Sequence, residues 1–281
     1  MMSQPSRAKH AYLVLAHEDV AMLNILVTRL SKTGSVFVHL DAGCSINLRE
    51  IVSLPEVQVF KEIRVKWGGW SIVQATRFLA DKAIASGASR LTLLSGVTYP
   101  IVDDRKLEEL AASDIDVFAA GLVDLANISK PFKRRFTSRH LEFKLGNSII
   151  ARIVRRLSRE VFALLPSLNP NEDLSPLKLT LGSQWWSVTS KTYSHAFEIL
   201  KINAKIEKYF KKIECSDESF FGTLFTAVST NKQNTGTTYV EWGTKGRPIS
   251  LDGIDPETSK DFFFARKFNS SEIELIEQLP H

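Results

Sequence analysis

Val36-Phe37-Val38-His39-Leu40-Asp41 is an apolar run of β-forming residues that ends on an acid and is followed by Ala42-Gly43. It is too short for a helix and bounded by turn residues, so it reads as a buried strand. Upstream, residues 11–16 repeat that pattern, and residues 20–30 between the two place apolar side chains at helical spacing. Strand, helix and strand in succession imply a parallel pair. Working outward, further strands are expected at 57–60, 91–94, 117–120, 179–188 and 238–242, with helices at 72–84, 105–112, 191–200 and 219–228. The alternation predicts a layered α/β fold with a largely parallel central sheet. In open sheets of this kind ligands collect at the carboxyl ends of strands. Asp41 at such an end is therefore a candidate for a ribose or base contact, or simply the start of a turn.

The chain has 281 residues, 44% of them hydrophobic, enough for one catalytic domain over 1–281 with a substantial core. No window approaches the roughly 18 apolar residues of a membrane span, and the amino end leads into the first strand without a signal-peptide core. Cys44 and Cys215 stand far apart with no metal-ligand spacing, which points away from disulfides and zinc and toward the cytoplasm. Residues 127–177 break the alternation and read as a basic helical insertion or lid. Between Lys130 and Arg159 ten basic residues face a single acid, Glu142, although the whole chain carries only +5. Within it, Ile149-Ile150-Ala151-Arg152-Ile153-Val154-Arg155-Arg156-Leu157 sets basic and apolar residues at helical spacing. That pattern suits a peripheral helix on anionic lipid better than the reading of nucleic-acid bases. Zinc-finger, phosphate-loop and Gly-x-Ser-x-Gly motifs are missing, which removes those classes.

Three stretches carry candidate chemistry. Cys215-Ser216-Asp217-Glu218-Ser219-Phe220-Phe221 offers the carboxylate Glu218 near a helix start, with Ser216 as expected N-cap. A helix dipole favours acids there and lowers their pKa, so a base at Glu218 requires burial against the neighbouring aromatics. Trp67-Gly68-Gly69-Trp70-Ser71 places two indoles around a Gly-Gly turn, and Ser71 with Gln74 makes an expected capping box for the next helix. Gly182-Ser183-Gln184-Trp185-Trp186 would set Trp185 and Trp186 on opposite faces of one strand, so that one of them meets a ligand. Each tryptophan taken alone reads first as core. The sole Asp-x-Asp, Asp114-Ile115-Asp116, precedes its strand and reads as a turn, not a metal site. A phosphate-bearing ligand would then need cations, for which Arg247 and Lys267 are the late-chain candidates.

Seven short pieces occur in order along nearly the whole chain: residues 11–17, 38–41, 67–71, Leu94-Ser95-Gly96-Val97-Thr98-Tyr99-Pro100-Ile101, 182–186, 216–221 and Phe264-Ala265-Arg266-Lys267-Phe268. Together they resemble the core-2/I-branching β-1,6-N-acetylglucosaminyltransferases, which share a family with protein O-xylosyltransferases. That resemblance implies a GT-A-like α/β fold and inverting sugar transfer from a UDP donor without a metal or other cofactor. It matches Glu218 to the catalytic base and Lys267 and Arg247 to the cations on the departing diphosphate. Asp41 matches a uridine-side contact, with Trp70 and Ser71 also expected on the donor side. Trp242 matches an acceptor-side aromatic, joined there by Trp185 and Trp186. Three departures are plain: Thr98 stands where the family usually has Asp, Thr244 where it has an acceptor-side Tyr, and the stretch from Trp242 to Arg247 is short. Without the cysteines and anchor of Golgi members, the expectation is a bacterial-type enzyme on the inner face of the cell membrane. The expected partners are a UDP-sugar, of N-acetylglucosamine or xylose, and a cell-surface glycan acceptor. A silent carbohydrate- or nucleotide-binding protein on the same scaffold is the alternative, and a nucleic-acid binder is disfavoured.

Overall fold

The structure is a computed structural model that describes residues 9–66, 68–139, 167–244 and 247–280, without the side chains of 130–132. From the amino end the chain forms β1 (His10–Ala16), α1 (Val20–Leu30), β2 (Ser35–Leu40), β3 (Val57–Phe60), α2 (Trp70–Ala85), β4 (Arg90–Ser95) and β5 (Thr98–Pro100). Next come α3 (Asp104–Ala112), β6 (Val117–Ala119), β7 (Val123–Asp124) and α4 (Lys130–Thr137). Beyond the undescribed segment lie β8 (Thr180–Leu181), β9 (Trp186–Thr189), β10 (Lys232–Gln233), β11 (Thr238–Val240) and β12 (Phe264–Arg266). Helices Ser190–Ile202, Ala204–Phe210 and Phe220–Val228 separate β9 from β10.

The main sheet has the order β10-β6-β9-β4-β1-β2-β3. β1 runs parallel to both β2 and β4, β2 parallel to β3, and β10 parallel to β6. Only β9 opposes its neighbours β4 and β6. The fold is thus mixed α/β with a mostly parallel sheet, as the alternation of apolar runs and helical patterns implies.

Strand periodicity divides β1 between two cores. Ala11 and Leu13 pack on the side of α2, with Val73, Leu79, Ala80 and Ala83. Tyr12 and Val14 pack on the side of α1, with Met22, Leu23, Leu26, Val27 and Leu30. A parallel strand covered on both faces must be apolar throughout, which is why these runs do not alternate. Each fully buried Leu or Val contributes roughly 1.5–3 kcal/mol. Gly96, just after β4, allows close approach to β1, because a Cβ there would lie 2.7 Å from the Ala16 Cβ.

Several expectations are corrected. Residues 179–188 form two short strands in different sheets, since β8 pairs with β7 and β9 joins the main sheet. Trp185 therefore precedes its strand and does not share it with Trp186, so the opposite-faces argument falls. Helix α2 begins at Trp70 with Gly69 as N-cap and no side-chain cap, so Ser71 and Gln74 make no capping box. The 219–228 helix begins at Phe220, with Ser219 as N-cap. β12 has no counterpart among the sequence expectations, and it forms a side sheet in the order β11-β12-β5. The interfacial-helix expectation at 149–157 lies outside the described residues. No helix among the described residues is long and apolar enough to cross a membrane.

Candidate functional site

The carboxyl ends of the parallel strands gather most of the candidate residues. Asp41 follows β2 directly, and its Oδ1 accepts hydrogen bonds from Gly43 N (2.8 Å) and Val65 N (2.9 Å). One carboxylate oxygen thus ties the loop after β2 to the loop after β3. At the tip of that second loop, Gly68 holds φ 72°, which a residue with a Cβ adopts at a cost. The Gly68 carbonyl accepts from Cys215 N at 2.9 Å, joining the Gly-Gly turn to the acidic stretch. Trp70, 8% exposed, packs edge-on against Phe220 at 5.0 Å, and the Lys211 ammonium lies 5.7 Å from its ring centroid. Ser71 is buried and its Oγ accepts from Lys66 N at 2.9 Å, so it holds the loop. Trp67 lies outside the described residues.

Cys215 is one of the described non-glycine residues with positive φ, at 51°. The left-handed kink starts a 3-10 turn, Ser216–Glu218, ahead of the helix Phe220–Val228. Glu218 is consequently placed before the helix, not at its second position, and the Ser216 N-cap expectation is corrected. From Cys215 to Phe225 every residue is buried except Glu218, whose side chain is 41% exposed. The kink turns this one carboxylate out of an otherwise closed segment. Its backbone carbonyl accepts from Gly182 N at 2.8 Å, bringing the tryptophan-bearing loop alongside.

Electrostatics reinforce that placement. Burial raises the Glu218 pKa, Arg135 beside it lowers it, Glu214 raises it again, and the net direction is upward. Arg135 Nη2 stands 3.3 Å from Glu218 Oε2. Asp217 is buried, its Oδ1 has no hydrogen-bond partner among the described residues, and burial followed by the Glu218 charge pushes its pKa up to about 7. Burial thus raises the Glu218 pKa, the condition that a base at this position requires.

The two adjacent tryptophans part company. Trp186, 1% exposed, is core, packed with Tyr193, Phe221 and Phe225. Trp185, 8% exposed, carries the Arg266 guanidinium 4.5 Å above its ring. Lys267 follows Arg266 and is half-buried. Its carbonyl accepts from Leu251 N at 2.9 Å, and its N–H donates to Ile249 O at 3.3 Å. Those bonds anchor the turn that carries Trp242 and Arg247, closed by Gly243 N to Arg247 O at 2.9 Å. Trp242 is 64% exposed, the most open of the described tryptophans.

The Asp-x-Asp lies elsewhere. Asp116 precedes β6, at the amino edge of the sheet, and accepts from Ser229 Oγ at 2.7 Å. Among the described residues no three His, Cys, Asp or Glu side chains cluster as metal ligands.

Sequence reading missed Arg135, hidden in a basic run that reads as solvated or lipid-facing, and Arg266, hidden beside Lys267. Asp217 was passed over because a buried acid cannot be told from an exposed one by type.

A mostly parallel sheet with Asp41 at the carboxyl end of β2, and Glu218 open beside Arg135, is the frame on which open α/β proteins bind ligands. The profile of the Core-2/I-Branching enzyme family matches residues 10–262, and the chain belongs to that family. It is a glycosyltransferase. Among curated proteins no sequence matches the chain. Among solved structures it is similar to 4-diphosphocytidyl-2C-methyl-D-erythritol synthase, at 10% identity and TM-score 0.41, covering 88% of this chain and 95% of that one. A galactosyltransferase, LgtC, in complex with donor and acceptor sugar analogs is similar at 10% identity and TM-score 0.37, over 81% and 75% of the two chains. Mannose-1-phosphate geranyltransferase from Thermus thermophilus follows at 13% identity and TM-score 0.33, over 81% and 70%. At these scores none of the three bears on the site.

Proposed function

We propose that the chain transfers a sugar, N-acetylglucosamine above others, from a UDP donor to a hydroxyl of a glycan acceptor, with inversion and without a divalent metal. The observation that carries this reading is Glu218, the one open side chain in the buried run Cys215–Phe225. In the proposed step its carboxylate takes the acceptor hydroxyl proton while that oxygen attacks the anomeric carbon. The bond from that carbon to the diphosphate breaks, and UDP departs with the electron pair. Lys267 with Arg247 are the cations assigned to meet the developing charge. Asp41 stands on the nucleoside side and exposed Trp242 on the acceptor side. The position of Asp116 at the opposite edge, engaged with Ser229, supports a cation-based rather than metal-based site.

A cell-surface polysaccharide or lipopolysaccharide acceptor, held by lipid near the basic segment at the inner face of the membrane, fits the charge distribution. UDP-xylose is the second donor to test. Measuring UDP release across a donor panel with a glycan acceptor in EDTA checks the proposal. Turnover confined to manganese-containing buffer removes the metal-free step, and UDP binding with no turnover on any donor leaves the silent binding protein.

A further inference from the structure

Two helices join to make one basic face beside the open carboxylate. The helix Ala204–Phe210 buries Ile206, Tyr209 and Phe210, and α4 buries Phe136 in the same cluster. Tyr209 Oη donates to the Phe136 carbonyl at 2.5 Å, which ties the two helices together. Their outer sides are therefore fixed relative to each other, and both are cationic. Lys205 and Lys208 are exposed three residues apart on the first helix, Lys212 follows in the turn after it, and Arg134 is exposed on α4. Among the described residues none of these four has an ion-pair partner. Glu207, the acid between the lysines, is taken by Arg77 and Lys211. Glu172 and Asp173, on the short helix Pro170–Asp173 that packs on Ala204–Phe210, are outnumbered by the cations and pair with none of them.

At one corner of this face Ile202 is 88% exposed, the most open large hydrophobic side chain among the described residues. It sits in the run Lys201-Ile202-Asn203-Ala204-Lys205, where Asn203 ends one helix and caps the next. An aliphatic side chain left in water among lysines is the pattern of an interfacial contact. The apolar group enters the acyl boundary and the ammonium groups stay with anionic headgroups. Tyr209 and Phe210 face the core instead, so they offer no platform on which nucleic-acid bases could stack.

We propose that this face, formed by Arg134, Lys205, Lys208 and Lys212 with Ile202 at its corner, is a docking surface for an anionic lipid bilayer. It needs no residue of the 149–157 stretch. Helix α4 links the surface to the chemistry, because Arg135 meets Glu218 while its neighbour Arg134 lies on the docking face. A chain seated on lipid therefore holds its open carboxylate close to the bilayer, where a lipid-held acceptor is delivered. That consequence rests on the glycosyl-transfer reading above, whereas the docking surface stands on its own charge and exposure.

The test is flotation of the full chain with vesicles of phosphatidylcholine alone and of phosphatidylcholine with phosphatidylglycerol, at low and raised salt. The wild-type chain is expected to float with the anionic vesicles only and to be released by salt. Each lysine near such a surface contributes a factor of about five, so Lys205→Glu, Lys208→Glu and Lys212→Glu together are expected to lower partitioning by about a hundredfold or more. The same three positions changed to Arg are expected to keep it. Ile202→Ser is expected to lower partitioning roughly tenfold, with Ile202→Leu near wild type. Melting temperature and UDP titration of each variant are expected to match the wild type. Wild-type protein that stays unbound, or floats equally with neutral vesicles, overturns the inference. So does a triple glutamate variant that floats like the wild type, which assigns lipid binding to another part of the chain, and so does tighter binding of a DNA oligonucleotide than of vesicles at the same salt. A chain that floats as expected yet binds no UDP keeps the docking surface and removes the nucleotide-sugar reading. If the triple variant fails to fold, the comparison of Ile202→Ser with Ile202→Leu decides.

Discussion

Arg135 Nη2 lies 3.3 Å from Glu218 Oε2, so the basic helix α4 reaches across to the open carboxylate of the Cys215–Phe225 run. The pair opposes two influences on one acid: burial, which favours the neutral form, and a neighbouring cation, which favours the charged form. Burial wins, and the Glu218 pKa sits above its usual value of 4.5. A base must be deprotonated to act, so activity is lost as pH falls through that raised pKa. The acid limb of kcat/KM is therefore expected above pH 4.5. Arg135→Gln removes the lowering influence, so the limb moves to higher pH. A pH profile that does not move, or moves down, breaks the link between this ion pair and catalysis.

Glu218→Gln keeps the shape of the side chain and deletes the proposed proton acceptor. Removal of a general base typically costs on the order of 10²–10⁴ in rate. We expect kcat to fall by that range while UDP affinity stays near wild type, because Lys267 and Arg247, the proposed diphosphate cations, are untouched. Parallel loss of UDP binding places Glu218 with the donor instead.

Asp217 supplies a stability test with a definite sign. Its pKa is about 7 in the folded chain against an ordinary 3.8, so the folded state holds the proton more tightly than the unfolded chain. Stability is then greatest below about pH 4 and falls as pH rises toward 7, after which it levels. Asp217→Asn removes that slope and is expected to stabilise the protein at about pH 8 by roughly 2–4 kcal/mol. Urea melts of both proteins at about pH 5 and pH 8 check it, and equal slopes count against a buried proton. Asp217 and Glu218 also share a turn, and their titrations are coupled. The same variant therefore shows whether the acid limb belongs to Glu218 alone.

The sheet was legible because buried parallel strands leave continuous apolar runs, and β3 and α1 occupy the residues that their patterns imply. What escaped has physical causes. β12 is three residues long and draws its stability from pairing with β5 and β11, which no local pattern encodes. The break at Gly182–Trp185 is imposed by Gly182 and Ser183 bonding to Glu218 and Ala120, both remote in sequence. Helix α2 opens two residues earlier than its Ser-x-x-Gln signal implies, with Ser71 Oγ occupied by Lys66 N. At the site, the strand-end position singled out Asp41 and the acidic stretch before a helix singled out Glu218, but the partner Arg135 required the fold. A cation in a basic run carries no mark of which carboxylate it meets.

Trp186 and Trp242 bracket what a tryptophan does in this chain. Trp186 is 1% exposed and touches Tyr193, Phe221 and Phe225, so truncation opens a void that the aromatic cluster cannot fill. Trp186→Ala is expected to destabilise by about 3–5 kcal/mol, read by denaturant melts. Trp242 is 64% exposed on a turn fixed by backbone bonds to the stretch around Lys267, so removing its ring leaves the core intact. Trp242→Ala is expected to change stability by less than about 0.5 kcal/mol. If it offers its face to the acceptor sugar, the same variant raises the acceptor KM severalfold at unchanged donor KM. A change in donor KM alone would move Trp242 to the nucleotide side, and no change in either would leave it a surface residue.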